Sequence, residues 1–193
     1  MMLAADHPAI VGPLVIVDSL PFLGAMLGAR TADEATPPAA GIRAHTAATP
    51  QPQYEAEVRS GQATNAMVTA PADQQRLIAW TLASDRATVA SAMQALFATD
   101  LRPVLPRVTA PALVIGTWSG WGSDPSVRAG AVARFRDQYT SLSRLHFAVT
   151  DTARHFVMLD DLPWFIRELD EFLANPDAAV RERGFPAVYA AMR

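Results

Sequence analysis

Four side chains in this sequence have types and placements from which acid–base or nucleophilic chemistry can be assembled: His155, Asp18, Asp124 and Ser119. His155 stands in Ala153–Asp161 (ARHFVMLDD), between an apolar run and a short acid-rich turn. An imidazole in such a loop can serve as a general base, because the ordinary imidazole pKa of about 6.5 permits proton exchange near neutrality. On composition alone, a hydrogen-bonded or surface histidine is the commoner outcome. His7, His45 and His146 have no comparable setting. A base of this kind needs a carboxylate to orient it, and two candidates lie at the right kind of place. Asp18 closes the run Pro13–Asp18 (PLVIVD), and Asp124 lies in the Gly- and Ser-rich loop Trp118–Ser126. Each also has a plain structural use: Asp18 as the cap of the next turn, Asp124 as a loop residue or helix cap beside Pro125.

The elements that must position these groups follow from patterning. Pro13–Asp18, Ala112–Thr117 (ALVIGT) and Leu145–Thr150 (LHFAVT) are short apolar runs rich in β-branched residues, the pattern of strands buried on both faces. The segments between them are too long for hairpins and carry helical periodicity, so the strands are expected to be parallel with helical crossovers. Open α/β sheets place catalytic groups at the carboxyl ends of their strands, and all four candidates fall there. Between the first two strands lies a Pro-, Ala- and Thr-rich stretch, Thr31–Gln53, expected to be loop. Two helices are expected after it. Asp73 would cap one carrying Leu77, Ile78 and Trp80, and Asp85 one running to about Thr99 with Val89, Met93, Leu96 and Phe97 on one face. They form either a lid over the strand ends or plain crossover helices; apolar stripes look alike in both. Further helices are expected over Val127–Tyr139 and from Pro163, with Trp164, Phe165, Leu169, Phe172 and Leu173 in register until Asn175 and Pro176. Ala178–Arg193 has the pattern of one more amphipathic helix, with no function assigned to it.

Composition excludes several classes. The 193 residues are 50% hydrophobic and 18% charged, enough for one domain with a sizeable core. A net charge of −3 and sixteen scattered basic residues, all arginine, give no electrostatic footprint for nucleic acid or an anionic membrane. With no cysteine there is no disulfide, thiolate nucleophile or cysteine-ligated zinc, and neither metal nor cofactor is expected. No apolar run approaches the roughly 18 residues of a membrane span, and Met1–Ile10 does not read as a signal peptide. The compartment stays open.

The order of these features resembles the C-terminal part of the α/β-hydrolase family. The resemblance rests on PLVIVD with Asp18, a helical insertion, the return segment Asp100–Gly116 (DLRPVLPRVTAPALVIG), and Ala153–Leu173 (ARHFVMLDDLPWFIRELDEFL). It spans roughly Leu3–Ala174. It implies an α/β fold: a parallel sheet with helical crossovers, an insertion over about residues 24–104 acting as a lid, and a core from 1–23 and 105–193. It assigns His155 as the triad base, with Asp18 or Asp124 as the acid. The family's nucleophile sits in Gly-x-Ser-x-Gly, and no serine here has that surrounding. Ser119, in Thr117–Trp121 (TWSGW), is the nearest imitation and follows the wrong strand. Met1–His7 reads as the last turns of the helix that follows the nucleophile, so the serine and oxyanion hole are expected outside the chain. The implied activity is hydrolysis of carboxylic esters or similar small acyl substrates, in a pocket lined by Trp80, Met93, Phe97 and Trp118. The competing expectation is a non-catalytic protein of hydrolase descent that binds a small ligand or a partner. An apolar first strand with one unpaired edge further implies a homo-oligomer or a complementing N-terminal fragment.

Overall fold

The three longer strands of the sheet alternate their side chains between two faces, and the two faces carry separate apolar clusters. The computed structural model describes residues 1–178 and 182–183. It contains a parallel sheet in the order β1 (Leu14–Val17), β2 (Ala112–Gly116), β3 (Leu145–Val149) and β4 (Glu182–Arg183). Ala112, Val114, Phe147 and Val149 join Phe135 and Tyr139 of α7 (Pro125–Tyr139) and Ala4 and Ala5 of α1 (Met2–Asp6) on one face. Leu113, Ile115 and Ala148 join Val157 of α8 (Val157–Asp160) and Phe172 of α9 (Leu162–Ala174) on the other. This period-two partition is what parallel strands covered by helices require.

The strands differ in burial. Every residue of β2 is buried, whereas every residue of β1 is only half-buried. The expectation that PLVIVD is buried on both faces is corrected here. Among the described residues, β1 pairs with β2 alone. Leu14 and Asp18 donate their N–H groups to Pro111 and Ile115, so the alternate residues Val15 and Val17 turn their backbone groups to the open edge.

The segment between β1 and β2 is helical over most of its length, with α2 (Ala32–Ala48), α3 (Gln51–Arg59), α4 (Gln62–Asn65), α5 (Pro71–Ala83) and α6 (Arg86–Ala98). The expected loop over Thr31–Gln53 is therefore overturned. Thr31 accepts from the Glu34 N–H and caps α2, and the alanines that follow supply high helix propensity. Pro37 and Pro38 lie inside this helix and each forgoes a backbone hydrogen bond. Packing of α2 along α6, with Ala35 and Ala39 fully buried, outweighs that loss. Asp85 caps α6 by accepting from Thr88, as expected, but Asp73 lies in the first turn of α5 behind the N-cap residue Ala70 and pairs with Arg76. The C-terminal helix expected over Ala178–Arg193 lies largely outside the described residues; where they resume, Glu182 and Arg183 pair with β3 as a strand.

A short stem holds the insertion to the sheet. Leu101 donates its N–H to Pro21 at 2.9 Å, and the Arg102 guanidinium lies 4.5 Å from the Phe22 ring centre while gripping Asp100 through both carboxylate oxygens. Gly24 fits beneath α6 because any Cβ there would overlap the Phe22 ring and the Phe97 carbonyl. Behind the stem, the buried Gln138 amide both donates to the Phe22 carbonyl (2.9 Å) and accepts from its N–H (2.8 Å), and the Tyr139 hydroxyl donates to Ser19 (2.8 Å). Replacing Gln138 by Leu keeps the volume but strands two buried backbone groups. The expected loss is about 3 kcal/mol of unfolding free energy, read from urea denaturation.

Candidate active site

Asp18 leaves β1 in a left-handed backbone conformation, with φ of 46°, the one positive φ among the described non-glycine residues. Aspartate tolerates this region better than most residues, yet it still needs support from its surroundings. The support comes from β2. The Asp18 N–H donates to the Ile115 carbonyl at 2.7 Å, and its Oδ1 accepts from the Thr117 N–H at 3.0 Å. The turn thereby aims Oδ2 along the carboxyl ends of the strands, where it meets His155 Nδ1 at 2.8 Å. The Asp18 side chain is 12% exposed and that of His155 43%, so the carboxylate is shielded while the ring reaches an accessible surface.

The loop carrying His155 is pinned from both sides. Thr150 Oγ1 accepts from the Thr152 and Ala153 N–H groups, and the Thr152 hydroxyl donates to Asp161, which also caps α9 at Trp164. The Phe156 ring lies edge-on to the imidazole at 4.9 Å. With Nδ1–H donated to a carboxylate, the neutral ring presents Nε2 as an acceptor, the arrangement a general base requires. None of the described side chains hydrogen-bonds to Nε2.

The remaining candidates are placed elsewhere. Asp124 accepts from the Ser126 N–H at 2.7 Å and caps α7, and the Ser126 hydroxyl and N–H together hold its carboxyl below the usual range; it does not pair with His155. Of the two carboxylates, Asp18 is the one that meets His155. Ser119 donates its hydroxyl to the Ala153 carbonyl at 2.8 Å rather than to the histidine. Trp118 is half-buried and donates its indole N–H to Asp151 at 2.8 Å, whereas Trp121 is exposed. Trp80 is 53% exposed, a correction to its expected core-facing position, while Met93 and Phe97 are half-buried. A cleft between β3 and α9, lined by Leu113, His146, Glu168 and Phe172, contains none of the four expected pocket residues. Among the described residues no three His, Asp or Glu side chains are gathered to hold a metal.

Two groups missed from sequence organise this end of the sheet. Arg128 grips Asp151 (Nε to Oδ1, 2.6 Å) and so ties α7 to the loop after β3. The segment Asn65–Thr69 runs against the His155 loop and is described below. Neither has a distinguishing sequence signal: Arg128 is one arginine of an expected helix, and Asn65–Thr69 carries no periodicity.

Comparison with known proteins bears on the fold. No family model matches the sequence, and no curated protein is similar to it. Among solved structures, the enol-lactonase from Burkholderia xenovorans LB400 superposes with a TM-score of 0.63 at 20% identity, covering 89% of this chain and 60% of its own. MenH from S. aureus superposes with a TM-score of 0.64 at 12% identity, covering 91% of this chain and 64% of its own. This chain has the α/β-hydrolase fold. It spans less than two thirds of either neighbour.

Two measurements test the geometry. In Asp18→Asn the amide can still accept from Thr117 and tolerate the positive φ, but the charge facing His155 is gone. The exchange-protected Nδ1–H proton resonance of His155, expected in the wild type, should vanish or exchange faster in the variant. The second concerns pH. Burial alone would raise the Asp151 carboxyl, but hydrogen bonds from Arg128 and Trp118 and the Arg128 charge outweigh it and hold the carboxyl below its usual range. The Arg102 guanidinium holds Asp100 down likewise. Folded, both groups release their protons more readily than unfolded. Their stabilisation is therefore complete above the ordinary aspartate pKa of 3.8 and fades as pH falls through the lowered folded values. The stability difference between wild type and Arg128→Gln should be clear at neutrality and shrink as pH falls below the ordinary aspartate value of 3.8, followed by urea midpoints.

Proposed function

We propose that the chain supplies the base and the acid of an α/β-hydrolase-type enzyme that cleaves carboxylic esters or similar small acyl substrates by a Ser-His-Asp mechanism. The observation that carries this reading is the 2.8 Å contact between Asp18 Oδ2 and His155 Nδ1, made by a carboxylate on a constrained turn to a ring that stays accessible. In this mechanism Asp18 fixes the ring and stabilises the imidazolium, and Nε2 takes the proton of an attacking hydroxyl and returns it to the leaving group. The name of one structural neighbour, an enol-lactonase, puts a cyclic ester within the chemistry of this scaffold. The helical insertion, which reaches the His155 loop, serves in this reading as a lid whose Met93, Phe97 and neighbouring aromatic residues meet the acyl group.

The nucleophile is not evident in the chain, and one observation favours a second reading. Ser119, the serine nearest in pattern to the family motif, is bonded to Ala153. A His-Asp pair without a nucleophile has nothing to activate. A non-catalytic ligand- or partner-binding protein of hydrolase descent would have this arrangement. The half-buried apolar β1, with outward Val15 and Val17 backbone groups, also supports association with a second copy or a complementing N-terminal fragment. Multi-angle light scattering should then show a species larger than one chain for the folded protein.

Turnover of a p-nitrophenyl ester by the purified chain, alone and in any complex it forms, separates the readings. For an enzyme, His155→Ala and Asp18→Asn should each lower turnover by a factor on the order of 10³ to 10⁴, with Ser119→Ala unchanged. Absence of both turnover and fluorophosphonate labelling in the wild type, with retained binding of the intact ester, decides for the non-catalytic reading.

A further inference from the structure

His155 lies between two residues that are both bonded to the helical insertion. Arg154 donates through its guanidinium to the carbonyls of Val68, at 3.0 Å, and of Asn65. The Phe156 N–H donates to the Met67 carbonyl at 3.0 Å. One carboxylate closes the arrangement. Asp160 Oδ1 accepts from the Thr69 N–H (2.8 Å) and hydroxyl (2.7 Å), and Asp160 Oδ2 accepts from the Arg154 N–H (2.8 Å). On the other side, Gly120 lies so close to the Ala66 carbonyl that a Cβ would overlap it.

Between α4 and α5 the segment Ala66–Ala70 turns back on α4 through the Ala66, Met67 and Val68 N–H groups, and the Gln74 amide donates to the Val68 and Thr69 carbonyls. The segment's position against the His155 loop is set by the bonds to Arg154, Phe156 and Asp160, several of them assisted by a charge and correspondingly strong. The same bonds set the backbone on each side of His155. Lifting the segment away would break the Phe156 and Arg154 contacts together, and the imidazole would lose the backbone frame that aims Nδ1 at Asp18.

We propose that Asp160 is a positioning residue that latches Asn65–Thr69 to the His155 loop, so that release of this segment and loss of the His155–Asp18 contact are one event. The inference rests on His155 being the working base, since it concerns how that base is held. It implies that whatever moves the insertion, such as a ligand entering beneath it, also gates the base.

The test uses amide hydrogen exchange and the His155 Nδ1–H resonance in the full chain, comparing wild type with Asp160→Asn and Thr69→Val. The informative reporters are the Phe156 amide and the His155 Nδ1–H, because neither donates to Asp160. Both should exchange faster in Asp160→Asn by a common factor on the order of tenfold or more, the change expected from losing one charge-assisted hydrogen bond. Thr69→Val, which removes only the hydroxyl, should give a smaller change in the same two reporters. Amides of β2 should be unaffected. The proposal is overturned if the Thr69 and Arg154 amides speed up while the two reporters do not. It is equally overturned if β2 amides accelerate by the same factor, which would make Asp160 a contributor to global stability only. Ester turnover does not enter the measurement, so an inactive chain leaves the test intact. A wild type with no protected Nδ1–H overturns both this inference and the proposed function.

Discussion

The Asp18 carboxylate is the point on which the carboxyl end of the sheet depends. One oxygen accepts from Thr117 just after β2, and the other receives His155 from the loop after β3, while the residue itself ends β1. Three crossovers are thus referred to a single side chain. The backbone has to enter a left-handed turn to make this possible, and the cost is borne by neighbouring bonds: Ile115 to the Asp18 N–H, Tyr139 to Ser19, and Gln138 to both polar groups of Phe22. A carboxylate at a regular strand position would point to one face of the sheet and reach neither partner.

The parts of the fold that the sequence disclosed are those governed by local pattern. The three apolar runs became β1, β2 and β3 within a residue or so of their expected ends, and α6, α7 and α9 began at aspartates capping a first turn. Asp124 is legible as a helix cap beside Pro125. The failures are of two kinds. Over Thr31–Gln53, four prolines signal loop, but the Thr31-x-x-Glu34 cap, the alanines around it and packing against α6 outweigh them. At β1, burial depended on whether a neighbouring strand was present, which no residue in the strand encodes.

The candidate site was legible to the extent that its chemistry is carried by residue type. A histidine in a strand-to-helix loop and an aspartate at a strand end could be singled out, and their separation of 137 positions in the chain is closed by the parallel register of β1, β2 and β3. That Asp18 rather than Asp124 meets His155 needed coordinates, because both follow parallel strands and the sequence does not show Asp124 spent on the α7 cap. The Asp160, Arg154 and Thr69 contacts were beyond reach for a similar reason. They join segments about 90 positions apart through an irregular stretch with no periodicity to read.

The insertion is built from small side chains, and this gives the molecule an uneven thermodynamic profile. Between Thr31 and Val104 its buried aliphatic residues larger than alanine are Val68, Leu77 and Ile78, with Ala35, Ala39 and Ala90 making up the rest. The sheet and its covering helices bury Val114, Ile115, Phe135, Tyr139 and Phe147 over a shorter length of chain. Since apolar stabilisation grows with the area removed from water, the insertion gains less per residue than the sheet while ordering a comparable amount of backbone. It forms a separate, weaker cooperative unit that opens at a lower free energy than the strands it adjoins. Heating or mild denaturant would then dissolve the insertion while the sheet and its aspartate stay in place.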